Sequence, residues 1–151
     1  MTKMTNAEIA LNHFTSGRNC SQSVLAAFGK ETGVDPDTAL RIADGFGGGM
    51  GRNQNVCGAV TGGIMVLGLL FSKGETGTHA EKDELYVRVR RFMAAFEGEY
   101  GSVTCKTLLN GCNLMSAEGR AQFKESGLRE KCADLIMGAC SLLQEETSRP
   151  N

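Results

Sequence analysis

The 151-residue sequence lacks any alternating apolar–polar stretch longer than a few residues, so it offers no strand pattern and leaves helices to build the fold. It lacks a charge excess. Sixteen Lys and Arg stand against 17 Asp and Glu for a formal net charge of -1, which argues against nucleic acid or an anionic membrane surface as the main partner. It lacks a convincing membrane span, because the longest apolar run, residues 56–71, is short and glycine-rich. The start, Met1 to Glu8, has neither the basic stretch nor the apolar run of a signal peptide. No internal repeat, low-complexity tract or linker divides the chain. The expectation is one soluble, cytoplasmic domain spanning residues 1–151.

The six cysteines are also defined by what they are not. No pair has Cys-x-x-Cys spacing, so neither a thioredoxin-type motif nor a zinc ribbon is present. No Cys-x-x-Cys-His occurs, so covalent c-type haem is not expected. A chain of this length buries a core without staples, and structural disulfides are rare in the cytosol. Clustered cysteines there point to redox work or to metal.

Nearly everything present reads helical. Thr5 with Glu8 is a capping box before a helix over Ala7–Phe14. Cys20–Glu31 follows and stops at Gly33. Asp35-Pro36 caps a third helix to Asp44, and Cys57–Phe71 is a fourth. Thr78 with Glu81 opens a long helix to Tyr100, with Leu85, Val89, Phe92 and Phe96 on one stripe. A short helix over Ser102–Leu109 and a long one over Leu128–Glu145 complete the set. Residues 17–19, 45–55 and 110–126 read as loops. The fold class expected is all-α, a compact single-domain helical bundle of six to seven helices.

The most informative junction is the glycine run Gly45-Phe46-Gly47-Gly48-Gly49-Met50-Gly51, followed by Cys57-Gly58-Ala59-Val60-Thr61-Gly62. A flexible loop feeds a cysteine at a helix start, where unpaired N–H groups and the helix dipole favour thiolate. Cys20 and Cys105 also fall at helix starts, and Cys132 lies on the apolar stripe of the last helix. Cys20, Cys57, Cys105 and Cys132 are therefore expected to converge at one end of the bundle. The loop, with five glycines between residues 45 and 55, is expected to form one wall. Gly49, Gly51 and Gly58 are the backbone positions expected to border the site or a cofactor in it. The plain alternative is that the cysteines pack as small hydrophobes and the protein is a non-catalytic helical adaptor.

Other constellations are weaker. His79 follows the capping Thr78 and reads as a solvated helix-start residue; His13 lies one turn after Ile9. The glycine run lacks the Gly-Lys-Ser/Thr ending of a P-loop and follows a helix rather than a strand. Arg88, Arg90 and Arg91 read as a solvated face.

With these residues in view, the chain resembles the C_GCAxxG_C_C family of redox-active proteins. Asn19-Cys20-Ser21-Gln22-Ser23-Val24-Leu25 is similar to the family's first cysteine segment. Gly45–Gly51 with Cys57–Met65 is similar to its signature, and residues 105–109 and 131–135 to its third and fourth segments. Cys112 and Cys140 match no shared position. The family is also similar to a domain of split-Soret cytochromes, but without the attachment motif no haem is implied here. The resemblance implies a redox role for Cys20, Cys57, Cys105 and Cys132. One version is thiol/disulfide electron transfer or exchange, with Cys57 as the low-pKa attacking thiolate and Cys20 as its resolving partner. The other is a four-cysteine zinc or iron–sulfur site. The implied partner is a redox protein or a small thiol, and homodimer formation stays open.

Overall fold

The computed structural model describes residues 3–151. Helices α1 (Asn6–Thr15), α2 (Cys20–Ala27), α3 (Gly29–Thr32) and α4 (Pro36–Asp44) form the first half. The segment α5 (Gly47–Met50) leads to α6 (Gly58–Phe71), α7 (His79–Tyr100), α8 (Cys105–Leu108), α9 (Ala117–Glu125) and α10 (Leu128–Thr147). In α5, Gly48 and Gly49 take left-handed angles, so it is a loop turn rather than a helix. Nine regular α-helices remain among the described residues, rather than six or seven. The fold is all-α as expected; among the described residues only an isolated antiparallel bridge, Val56 with Thr104, departs from it.

Two local decisions explain the larger count. The second helix breaks at Phe28, whose φ of -101° leaves the helical range, and a separate turn then ends at Gly33 with φ 71°. Residues 110–126 are not all loop, because Ser116 caps Gly119 and starts α9. Elsewhere the caps read from the sequence are present. Thr5/Glu8 and Thr78/Glu81 form reciprocal capping boxes, and Asp35 caps Thr38 ahead of Pro36. Asn19 and Gln22 form a third capping box at the start of α2, which fixes the orientation of Cys20.

The core gathers Leu25, Phe28, Leu67, Phe92, Phe96 and Ile136 at near-zero exposure. Helix α6 sits at its centre because its small residues face two ways. A Cβ added at Gly62 would stand 2.7 Å from the Ser21 carbonyl oxygen, and one at Gly58 2.9 Å from Cys20 Cβ. On the other side, a Cβ at Gly63 would meet the Phe92 ring. Glycine thus lets α2 approach α6 backbone to backbone, which brings Cys20 to Cys57. No helix of the described residues is long and apolar enough to cross a membrane.

The basic run on α7 is only partly the solvated face expected from the sequence: Arg90 is exposed, but Arg88 is buried and Arg91 is half-buried in an ion pair. Arg88 is 3 % exposed and Glu146 of α10 is equally buried. Arg88 Nη1 lies 3.1 Å from Glu146 Oε2, and Arg91 Nε donates to Glu146 Oε1 at 2.6 Å. The Arg88 guanidinium covers the Phe71 ring at 3.9 Å and also donates to the Arg149 carbonyl and Asn151 Oδ1. These contacts clamp the C-terminus onto α7, far along α10 from Cys132.

Candidate functional site

The four cysteines border one cavity of about 530 Å³. Each arrives there by a different element. Cys20 is the first residue of α2, held by the Asn19 cap. Cys57 is the N-cap of α6, one residue outside the helix in which the sequence placed it. Cys105 is the first residue of α8, and Cys132 lies in the second turn of α10. Cys57, Cys105 and Cys132 are buried and Cys20 is partly buried. All are free thiols.

The glycine loop forms a wall of this cavity. Gly47, Gly48, Gly49, Gly51 and Gly58 line it. Gly49 is the tightest position, since a Cβ there would lie 2.8 Å from Cys105 Cβ and 2.7 Å from Asn55 N, and its φ is 67°. Gly51 is left-handed too, at φ 62°, but faces open space. Three non-glycine residues of the same loop, Met50, Arg52 and Gln54, also have positive φ, at 71°, 68° and 58°. Left-handed backbone at such residues costs about 1–3 kcal/mol each and persists only where surroundings enforce it. Here the enforcement is visible. Gln54 is buried; its Nε2 donates to the Cys112 carbonyl at 2.7 Å and its Oε1 accepts from Leu114 N–H at 2.9 Å.

The thiols divide by environment. Burial pushes Cys57 up to about 11, and the Ala59 and Val60 amides at the α6 N-terminus only partly offset it. The expectation of a low-pKa Cys57 is therefore corrected: the helix end is there, but desolvation outweighs it. Burial likewise pushes Cys105 up to about 12, with the neighbouring Cys57 and Cys132 sulfurs adding to it and Gln54 opposing it. Cys132 goes the other way. A hydrogen bond from Cys20 holds it below the ordinary thiol value, and Arg129 and Lys131 add to that effect against the cost of burial. Cys20 is raised for the complementary reason, first by that same hydrogen bond and then by burial. The pair is thus a thiol, Cys20, sharing the cavity with a thiolate-favouring sulfur, Cys132.

The remaining expectations fall as follows. Cys112 lies close enough to Cys105 to influence it, and its own Sγ donates to the Gly119 carbonyl at 3.2 Å. Cys140 is fully buried in α10, raised to about 12 by burial, and does not line the cavity. His13 stands beside Arg18, and burial together with that cation lowers its pKa. Four thiolates are the donor set that zinc or an iron–sulfur cluster takes. Among the described residues, however, no group of three or more His, Cys, Asp or Glu side chains is arranged to hold a metal ion. The expected ligands share a cavity without forming a coordination shell.

Two features of the site escaped the sequence reading. One is Gln54, which carried no motif; only its contact across 58 residues to Cys112 gives it a role. The other is the cationic rim of Arg18, Arg52, Arg120, Lys124 and Arg129. A partial signal existed, because Arg120 and Lys124 are four apart and share a helix face once Ser116 is recognised as a cap.

No curated protein and no solved structure matches the chain. A family model does, over residues 18–146, which takes in Cys20, Cys57, Cys105 and Cys132 together with the glycine loop between them. Its description reads "Putative redox-active protein (C_GCAxxG_C_C)". With four cysteines around one cavity and this match over most of its length, the chain belongs to the C_GCAxxG_C_C family.

Proposed function

We propose that the cavity is a thiol/disulfide centre in which Cys132 attacks and Cys20 resolves. The observation that supports this most directly is that Cys20 and Cys132 border the same cavity, each being the first cause of the other's shift, Cys20 upward and Cys132 downward. Two cysteines bordering one cavity and acting on each other are placed to become a disulfide, and the one favouring thiolate is the nucleophile. Cys132 S⁻ attacks one sulfur of a substrate disulfide, RSSR. A Cys132–S–S–R bond forms and RS⁻ leaves, taking a proton from Cys20 or from water. Cys20 then attacks the Cys132 sulfur, the second RS⁻ leaves, and a Cys20–Cys132 disulfide remains. The protein loses two electrons and the substrate gains them; the reverse sequence restores the dithiol. The partner is a small thiol/disulfide couple or a redox protein, and a reducing cytoplasm is the compartment that keeps six free thiols.

In this arrangement Cys57 and Cys105 are reserve thiols on the cavity wall. Both remain protonated near neutrality and keep the mixed disulfide in apolar surroundings.

The test uses reduced, anaerobically purified protein. Mild oxidation with hydroxyethyl disulfide should remove two thiols reversibly, and peptide mapping should find Cys20 joined to Cys132. Cys132→Ser should abolish the reaction, while Cys20→Ser should stop it at the mixed disulfide. Zinc or iron bound in stoichiometric amount, lost in the same variants, would replace this reading with a four-cysteine metal centre.

A further inference from the structure

Resting on the exchange reading above, we propose that the substrate of this cavity is a small disulfide or thiol bearing carboxylates. Its sulfur reaches the Cys132 floor while its anionic ends rest on the cationic rim. The cavity volume of about 530 Å³ is that of a small-molecule site. Its charge lining is lopsided. The chain is balanced overall, with 16 Lys and Arg against 17 Asp and Glu. Yet five of those cations, Arg18, Arg52, Arg120, Lys124 and Arg129, border this cavity, with Asp44 as the one acidic residue. Asp44 is itself engaged, since Asn19 Nδ2 donates to its carbonyl at 2.9 Å and reaches its Oδ1 at 3.4 Å.

The cations differ in how they are occupied. Arg120 donates to the Leu114 and Met115 carbonyls, and Arg129 donates to the Phe14 carbonyl with its guanidinium 4.5 Å above the Phe14 ring. Both are pinned over the cavity. Arg18, Arg52 and Lys124 make no side-chain hydrogen bond or ion pair with other described residues, and all three are exposed. Three free cations beside two pinned ones, around a recess that Cys132 also lines, make a local positive field in a protein whose net charge is -1. Such a field raises the local concentration and arrival rate of anions. A recess favours a small anion over a flat acidic protein surface.

The experiment compares three disulfides as oxidants of the reduced protein: 3,3′-dithiodipropionate, a dianion; hydroxyethyl disulfide, neutral; and cystamine, a dication. Each rate is divided by the rate of the same disulfide with free 2-mercaptoethanol, which removes differences in intrinsic reactivity. The dianion should lead the neutral compound by on the order of tenfold, and cystamine should trail it. That lead should shrink toward unity in the Arg52→Asn/Lys124→Gln double variant; asparagine tolerates the left-handed backbone at position 52. It should shrink equally in about 1 M salt. Suberate, the unreactive dicarboxylate of the same length, should bind the wild type in calorimetry and bind the double variant weakly. Equal normalised rates for all three compounds, with the Cys20–Cys132 bond still forming, overturn the substrate assignment and leave the exchange function standing. If no disulfide joins Cys20 to Cys132 with any oxidant, the exchange reading falls and this inference with it, whatever suberate does.

Discussion

Cys57 and Cys105 are tied together by backbone rather than by sulfur. The Cys57 N–H donates to the Val103 carbonyl and the Cys105 N–H to the Asn55 carbonyl, both at 2.7 Å. The two bonds flank the Val56–Thr104 bridge, the one strand-like pairing among the described residues. It fixes the α6 and α8 N-termini side by side, so the wall of the cavity is set by main-chain bonds that thiol oxidation does not touch. Cys20 and Cys132, on α2 and α10, form the pair outside that clamp.

The clamp makes the two loop glycines unequal. Gly49→Ala puts a methyl group against Cys105 Cβ and the Asn55 amide, in addition to backbone strain. Gly51→Ala brings only the strain, on the order of 1–2 kcal/mol. Urea unfolding should therefore show Gly49→Ala as clearly the more damaging change, with altered Cys105 accessibility only there. Equal losses would mean the loop yields freely at Gly49.

Cys132 should be the first thiol to react. Its alkylation rate should rise with pH through a midpoint below the ordinary thiol value of 9.0, while Cys57 should respond only toward about 11. Cys20→Ala removes the first cause of the lowered value and Arg129→Gln a smaller one, so both should move the midpoint upward, the former more. Residue-resolved mass spectrometry of iodoacetamide adducts reads this directly. Cys57 reacting ahead of Cys132 would reverse the assignment of nucleophile.

Alkaline pH should destabilise the fold through its buried thiols. A thiol raised in the folded state binds its proton more tightly there than in the unfolded chain. Its contribution is complete below the unfolded value near 9 and is lost as pH rises toward the folded value near 12, as for Cys140. Melting temperature should thus fall as pH rises above about 9 toward 12. Cys140 is the cleanest case because burial is its only cause. Cys140→Ala should lower stability at neutral pH yet flatten that alkaline slope; an unchanged slope assigns the loss to other groups.

The Arg88–Glu146 pair predicts a separate behaviour at the far end of α10. Glu146→Gln leaves a buried guanidinium without its counter-charge, a change that costs about 3–5 kcal/mol. The hydrogen bond from Arg91 holds the Glu146 carboxyl below its ordinary value, so stability from this group is present at neutral pH and lost as pH falls through the acid range. Calorimetry of wild type and Glu146→Gln between neutral and acid pH should show the variant less stable and less acid-sensitive. The cavity thiols should keep their reactivity in the folded variant.

Local chemistry made much of the fold legible in advance. Thr5, Thr78 and Asp35 announce helix starts because a cap needs only a side-chain oxygen and an N–H a few residues on. The apolar stripe through Phe92 and Phe96 and the absence of alternation announced helices over strands. The break at Phe28 and the helix after Ser116 were hidden, because packing against other elements decides them more than propensity does.

What the sequence determined by itself was an all-α domain and the four cysteines that border its cavity. Helix starts and signature residues are properties of neighbours along the chain. What only the tertiary structure decided was which sulfur is favoured as thiolate, where the arginines stand and whether the thiols form a coordination shell. Cys57 has the helix end that the sequence promised, but burial, a property of everything packed around it, outweighs that end. Cys132 has no such local signal and is favoured through Cys20, 112 positions away, because α2 and α10 meet at the same cavity.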